Sequence, residues 1–364
     1  MTAKKELGQF MTTNYEYILK NMSIPSETKT IIEPFCGQGD LLKFISSDKL
    51  LDSCTSETDI SINHHIDIEC YDIDPQHKLA LERDTLTNPP QYDDKFVLTN
   101  PPYLARNKSD NKLIFDQYDQ NDLYKCFLCS MIRNPPLGGI IIIPLNFLSS
   151  VRKADIGLRQ YFLQKFDLLQ VNIFEEQVFD DTTYTVCAIQ FEKKNAKQSN
   201  IKIDIYPSKI HIETKLTASN NYMIGGHIYN LPKSSTYEIS RLTRTTINDP
   251  HTNILVKCID DNKNNQIRLS IVPDDQIYVD QTANLSARTY ATLQIVPHIS
   301  PLKQAILVKR FNQYLTSERI KFNSLFLCNY RESKDIARKR ISFGLVYLIC
   351  QYLLDQIDKE ENEE

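Results

Sequence analysis

The tetrapeptide Asn100-Pro101-Pro102-Tyr103 concentrates the chemistry of this 364-residue chain. It follows the apolar run Phe96-Val97-Leu98, so it stands where a buried strand ends and a loop begins. Two consecutive prolines stiffen that loop and remove two backbone donors. The asparagine amide both accepts and donates hydrogen bonds, and the tyrosine supplies a flat ring. An amino group can be held by its hydrogens while the ring that carries it is stacked. That pairing suits a planar nitrogen heterocycle drawn out of its stack.

A second set of residues suits a nucleoside with a cationic end. Residues 31–42, Ile31-Ile32-Glu33-Pro34-Phe35-Cys36-Gly37-Gln38-Gly39-Asp40-Leu41-Leu42, read as strand, tight turn and helix. Gly37 and Gly39 let the backbone approach a ligand where a side chain would collide. The third glycine of the dinucleotide pattern is replaced by Leu42, and an acid, Glu33, sits in the loop. A carboxylate there is unfriendly to a pyrophosphate and friendly to a cation. S-adenosylmethionine carries a sulfonium, an ammonium and no phosphate. Asp72, in Tyr71-Asp72-Ile73-Asp74-Pro75, follows the next strand and can accept both ribose hydroxyls. Asp74 with Pro75 after it reads as a helix cap. Asp84 is placed to accept from an adenine amine, with an ordinary surface aspartate as the alternative. Gly8-Gln9-Phe10-Met11-Thr12-Thr13 precedes an amphipathic helix expected from Tyr15 to Met22, which Thr13 or Asn14 would cap.

These residues need a scaffold, and the apolar patterning supplies one. Strands are expected at 30–32, 66–71, 96–99 and 139–144, then at 168–174 and 184–191, the last two as an antiparallel edge pair. Asp122 to Ile132 has Leu123, Phe127, Leu128 and Met131 on one helical face. Strands separated by helices imply a doubly wound, Rossmann-like α/β sheet with its ligand crevice at the strand C-termini. Near residue 195 the chain becomes polar and turn-like. Short strand-like runs follow, at 201–206 and 266–272, and the chain reads as helical again from Leu302. A boundary is expected within 195–220, giving a domain over 1–205 and a mixed α+β domain over 206–364.

Bulk composition narrows the class. Hydrophobic residues make up 41% of the chain, ample for a core, and no apolar run approaches the length of a membrane span. The N-terminal residues lack the apolar stretch of a secretory signal, so an intracellular, membrane-free protein is expected. Nine cysteines are scattered, and Cys126 and Cys129 have no second pair, so reduced buried thiols are expected rather than a metal site. Net charge is −7 over residues 1–205, +8 over 206–354 and −5 over the last ten residues. A basic back half hints at a polyanionic partner. The acidic C-terminus reads as a frayed, solvated helix end.

Taken in order, these stretches resemble the S-adenosylmethionine-dependent amino-methyltransferases that modify adenine in DNA. The likeness is to the group with cofactor motifs first and target recognition last, and it covers residues 7–192. It implies that Gln9, Phe10, Met11 and Thr12 close over the methionine end of the cofactor. Glu33, Pro34, Phe35, Gly37 and Gly39 would form the glycine loop. Asp72 with Ile73 would hold the ribose, and Asp84 with Thr85 the adenine. Asn100 would serve both cofactor and catalysis, with Pro101, Pro102 and Tyr103 completing the catalytic loop. Asp122 to Phe127 is similar to the helix that follows that loop in the family. Val178-Phe179-Asp180-Asp181-Thr182-Thr183-Tyr184 resembles the loop supplying a second aromatic to the base, which assigns stacking to Tyr103 and Phe179, with Tyr184 as the alternative. No Pro-Cys dipeptide is present, which sets aside attack on a cytosine ring carbon.

The implied partner is double-stranded DNA, in a restriction-modification setting with a cognate endonuclease acting separately, the chain itself being a monomer or weak dimer. Residues 303–340 hold ten Lys and Arg against three acids. Lys309, Arg310, Arg331, Arg338, Lys339 and Arg340 are the candidate phosphate contacts. Asn262, Asn264, Asn265, Gln266 and Arg268 are candidate base readers. Two other readings stand beside this one. The first is a methyltransferase for RNA adenine or a protein glutamine; the second is a non-catalytic DNA-binding subunit of a larger restriction complex.

Overall fold

The computed structural model describes residues 12–45, 66–179, 184–194, 200–260, 266–281, 289–329 and 339–363. The chain forms two compact units, residues 1–147 with 152–215, and 148–151 with 216–364.

The first unit is built on one sheet, which has nine strands among the described residues. They are β1 (Thr30–Glu33), β2 (Asp67–Asp72), β3 (Ala80–Glu82), β4 (Phe96–Thr99), β5 (Gly138–Pro144), β6 (Phe166–Phe174), β7 (Val186–Lys193), β8 (Ile201–Tyr206) and β9 (Ile210–Thr214). Their order is β3-β2-β1-β4-β5-β7-β6-β8-β9. The first five positions are parallel throughout. β7 lies antiparallel between β5 and β6. β4 and β5 are buried along their whole length, as their unbroken apolar runs require of strands covered on both faces. The strand order reverses between β1 and β4, and there the carboxyl ends of the strands form a crevice.

Helices connect these strands. After α1 (Tyr15–Ile18) come α2 (Leu113–Tyr118) and α3 (Leu123–Arg133) between β4 and β5, then α4 (Asn146–Ser149) and α5 (Lys153–Lys165) between β5 and β6. α3 buries Tyr124, Phe127, Leu128 and Met131, the i, i+3, i+4, i+7 stripe.

Four local expectations are corrected. The helix expected from Tyr15 to Met22 is the single turn α1. No helix follows Asp74-Pro75, which enters a turn before β3; the Asp74 amide donates to Asp72 Oδ1 at 2.9 Å instead. The β6–β7 pair is antiparallel but not an edge, because β8 pairs parallel to β6 and β9 hairpins onto β8. That hairpin carries the first unit to Lys215.

The second unit contains a four-stranded antiparallel sheet of β10 (Glu238–Arg241), β11 (Ile254–Lys257), β13 (Arg268–Ile271) and β14 (Tyr290–Val296), ordered β10-β14-β11-β13. A smaller sheet joins β12 (Ile259–Asp260), β15 (Cys328–Asn329) and β16 (Lys339–Arg340). α6 (Pro301–Phe322) and α7 (Phe343–Glu363) bury Leu307, Phe311, Val346 and Ile349 in one cluster with Val256, Leu269 and Leu293 of the larger sheet. α6 starts on Ser300, whose Oγ accepts from the Lys303 amide, with Pro301 in the first turn. The fourth correction lies in α7, expected as a frayed end. It runs helical to Glu363, and its acids are engaged: Asp358 and Glu361 by Lys303, Glu360 by both terminal nitrogens of Arg310. The observed fold class is therefore the expected one, a doubly wound Rossmann-like α/β sheet followed by a mixed α+β unit. Among the described residues no helix is long and apolar enough to cross a membrane.

Candidate active site

The carboxyl ends of β1, β2 and β4 open onto a cavity of about 560 Å³, the size of a small-molecule site. Its wall brings together Thr12, Glu33, Phe35, Gly37, Asp72, Ile73, Asp84, Thr85 and Asn100 from the expected cofactor set, with Pro102 beside them. Pro34 and Gly39 are not on the wall. The Pro34 carbonyl accepts from Thr85 Oγ1 at 2.9 Å, which ties the glycine turn to the segment after β3. Gly39 adopts φ +79°, and a Cβ there would stand 2.7 Å from the His77 ring, so only glycine lets the turn lie against His77. Gln9, Phe10 and Met11 lie outside the described residues.

Two carboxylates dominate the cavity's electrostatics. Glu33, the last residue of β1, is 1% exposed. Its Oε1 accepts from the Phe35 amide at 3.2 Å and from the Thr99 hydroxyl, while Oε2 is buried with no hydrogen-bond partner. Burial raises its pKa well above the carboxylate range, against the opposing bonds from Thr99 and Phe35. An orphaned buried carboxylate oxygen on a cavity wall is an acceptor waiting for a donor, best a cationic one. Asp72 closes β2 with Oδ2 accepting from the Gly37 amide at 2.7 Å and Oδ1 from the Asp74 amide at 2.9 Å. Gly37 has φ +52° with open space where a side chain would point. Asp84 is exposed at the rim, its Oδ1 capping a turn through the amides of Leu86 and Thr87, both at 3.1 Å.

Asn100 stands just past β4 with its amide orientation fixed. Nδ2 donates to Thr12 Oγ1 at 3.0 Å, and Oδ1 accepts from the Tyr103 hydroxyl. The same hydroxyl lies 2.6 Å from the Ile142 carbonyl of β5, so its one proton has two acceptors in reach. Those contacts draw the Tyr103 ring inward. It is 2% exposed and meets the rings of Tyr124 at 6.3 Å and Tyr184 at 6.0 Å edge-on. Phe179 is also 2% exposed. Neither ring is on the wall of this cavity. Tyr184 is half-buried and touches Tyr103. Pro101 is buried in the loop.

The opposite wall was not foreseen. Leu104, Asn111, Leu113, Ile114, Gln117 and Leu123 close the cavity from the segment between β4 and α3. An Arg106–Asp116 ion pair and bonds from Lys112 Nζ to the carbonyls of Arg106 and Ser109 fold that segment back. Its residue types carry no motif. The one available signal was position, since a connection leaving a strand at the switch point belongs to the crevice.

The candidate nucleic-acid contacts scatter. Lys309 is exposed on α6, whereas Arg310 is held by Glu360. Lys339 is 5% exposed, opposite Asp260 in the smaller sheet, which withdraws it from phosphate contact, and Arg340 beside it is half-buried. Arg268 is exposed and Gln266 half-buried. Arg331, Arg338, Asn262, Asn264 and Asn265 lie outside the described residues. Among the described residues no three His, Cys, Asp or Glu side chains gather to hold a metal ion. Burial pushes the Cys126 thiol up to about 12 and the Cys129 thiol up to about 11.

No protein-family model matches the chain, and no curated protein matches it. Solved structures do. A chain named as the modification subunit of a type I restriction enzyme from Vibrio vulnificus YJ016 is 16% identical, with 56% of this chain and 48% of that one covered, at a TM-score of 0.41. The type I restriction-modification methyltransferase subunit from Streptococcus thermophilus is 14% identical, covering 53% and 45%, at a TM-score of 0.37. The type IIL restriction-modification enzyme MmeI, solved with DNA, is 14% identical, covering 65% and 40%, at a TM-score of 0.39. This chain thus spans less than half of each of those chains. Likenesses at this level carry no chemistry, which has to come from the residues of the site.

Proposed function

We propose that the chain transfers a methyl group from S-adenosylmethionine to the exocyclic N6 amine of an adenine extruded from duplex DNA, in a restriction-modification setting. The observation that carries this reading is the placement of Asn100. Its carboxamide, oriented from both sides, lies on the wall of the cavity that also holds Glu33 and Asp72.

The acceptors on the cavity wall support the cofactor reading. Glu33 Oε2 would accept from its ammonium, Asp72 from its ribose hydroxyls, and Asp84 from its adenine amine at the rim. Bound there, the cofactor supplies an electrophilic methyl carbon. The chain's own task is to make a poor nucleophile available, because the lone pair of an adenine amine is delocalised into the ring. Asn100 Oδ1 and the Pro101 carbonyl would accept the two amine hydrogens and favour a pyramidal nitrogen. As the amine donates to Asn100 Oδ1, the Tyr103 proton turns to the Ile142 carbonyl already 2.6 Å away. Asn100 Nδ2 stays on Thr12 throughout, so the accepting oxygen cannot swing off line. Tyr103 would stack on the base, with Phe179 on or near its other face and Tyr184, edge-on to Tyr103 at 6.0 Å, as the alternative. Residues 206–364 are read as the target-recognition domain.

The test is transfer of label from methyl-tritiated cofactor to duplex DNA, RNA and a glutamine-bearing protein, with wild type and Asn100→Ala. Label should enter the N6 position in duplex DNA alone, and Asn100→Ala should lose at least ~100-fold of the rate with cofactor binding retained. Label appearing in RNA or protein instead, or an undiminished Asn100→Ala enzyme, removes the reading.

A further inference from the structure

The Glu33 carboxylate is bonded through one of its two oxygens. Ile31 and Ile32 of β1 pair with Phe96 and Val97 of β4, so Glu33 and Thr99 close neighbouring parallel strands at the crevice. Thr99 is 0% exposed, and its hydroxyl donates to Glu33 Oε1. The Phe35 amide donates to the same oxygen at 3.2 Å. Oε1 takes both donors, and Oε2, also buried, takes neither. Both donors are neutral, so they orient the group without cancelling its charge. The terminal torsion of a glutamate is broad and two-fold, and one long bond from an amide would leave it loose. A β-branched threonine is stiff at χ1, so the Thr99 hydroxyl is aimed with little freedom to lose. Thr99 is not on the cavity wall, so it reaches a ligand there only through a neighbouring residue.

We propose that Thr99 is a positioning residue for cofactor capture, its hydroxyl fixing the Glu33 carboxylate so that Oε2 is the oxygen left for the ammonium of S-adenosylmethionine. This rests on the cofactor reading of the cavity given above. The hydroxyl bears on charge as well as on direction. Burial is the largest influence against ionising Glu33, and the Cys36 thiol of the glycine turn and Asp72 at the end of β2 add to it. The bonds from Thr99 and Phe35 favour the ionised form. A bound cation needs that form. Losing the hydroxyl therefore both loosens the carboxylate and makes it harder to ionise.

Calorimetric titration of the full chain with S-adenosylhomocysteine, which keeps the ammonium, tests this across a pH series. Thr99→Val should bind about tenfold more weakly than wild type near neutral pH. Affinity should climb with pH and level off in both proteins, at a higher pH in Thr99→Val. Thr99→Ser keeps the hydroxyl and should bind within about threefold of wild type. In the Glu33→Gln background, Thr99→Val should change affinity by less than about twofold, because its effect passes through the carboxylate. If Thr99→Val does not fold, Thr99→Cys, a weaker donor, takes its place with the same expectations. Wild-type affinity and pH dependence in the variant overturn the proposal, as does an undiminished loss in the Glu33→Gln background. If wild type itself does not bind S-adenosylhomocysteine, the cofactor reading falls and this proposal falls with it.

Discussion

On the proposed reading, Glu33 is the residue on which cofactor capture and stability pull apart. Burial raises its pKa well above the usual value of 4.5, so its folded-state stability is fully present below that value and is lost as pH rises toward the raised pKa. A cation at the orphaned Oε2 reverses the balance by favouring the charged form. Glu33→Gln should therefore melt higher than wild type near neutral pH without cofactor, and the two should converge toward pH 4. The same change should weaken cofactor binding about 10- to 100-fold, the worth of a hydrogen bond to a charged group. Wild-type binding should also release a proton, visible as a calorimetric heat that depends on the buffer. A variant no more stable than wild type at pH 7 counts against the buried charge. Glu33 and Asp72 were legible in the sequence because acids at strand ends beside a glycine turn have few structural uses. The inward turn of Tyr103 was not. It depends on the Ile142 carbonyl, 39 residues away in sequence and on a different strand.

At the scale of elements, the 100–105 loop is only as steady as α3, to whose start it is bonded. α3 is joined to α5 by a buried ion pair, Lys125 Nζ to Asp155 Oδ1 at 2.5 Å, the two side chains 9% and 8% exposed. Lys125 also reaches Asn121 Oδ1 at 2.9 Å, beside the bridge to the loop. Removing one partner strands the other charge, so Asp155→Ala should cost about 3–5 kcal/mol in urea unfolding, whereas Lys125→Met with Asp155→Leu should be nearly neutral. The paired replacement should still slow methylation, because the link to Asn121 goes with Lys125; full activity in it would confine the pair to stability. Elements of this kind divide into legible and hidden ones. β4, β5 and α3 declare themselves through runs and stripes set by burial. β3 and β9 do not, because their place is decided by the edge they join; β8 was readable as a strand over 201–206, but not as a member of this sheet. α1 fails as a longer helix for a related reason. Asn172 Nδ2 donates to the carbonyls of Ile18 at 3.0 Å and Lys20 at 2.7 Å, taking acceptors that a continuing helix would use.

For the whole molecule, formal charge overstates what is offered to a polyanion. Residues 206–354 carry a net +8, yet the acids of the last ten residues fold back onto the cations of α6. Arg310 grips Glu360 through two nitrogens, and Lys303 holds Asp358 and Glu361. The count of charges was readable from sequence; the pairing of residues fifty positions apart was not. A cation already neutralised within the protein releases no counterion on meeting phosphate, so it adds nothing to the salt dependence of binding. If α6 faces DNA, the exposed Lys309 should contribute and Arg310 should not. Anisotropy titrations of duplex DNA across a salt series should show the log–log slope fall by about 0.9 in Lys309→Ala and stay unchanged in Arg310→Ala. Glu360→Gln should steepen the slope by a similar amount by releasing Arg310. A slope lowered equally by both alanine variants would mean that the guanidinium leaves Glu360 for phosphate. A slope altered by neither would move the DNA-facing surface off α6, leaving exposed Arg268 on β13 as the next position to substitute.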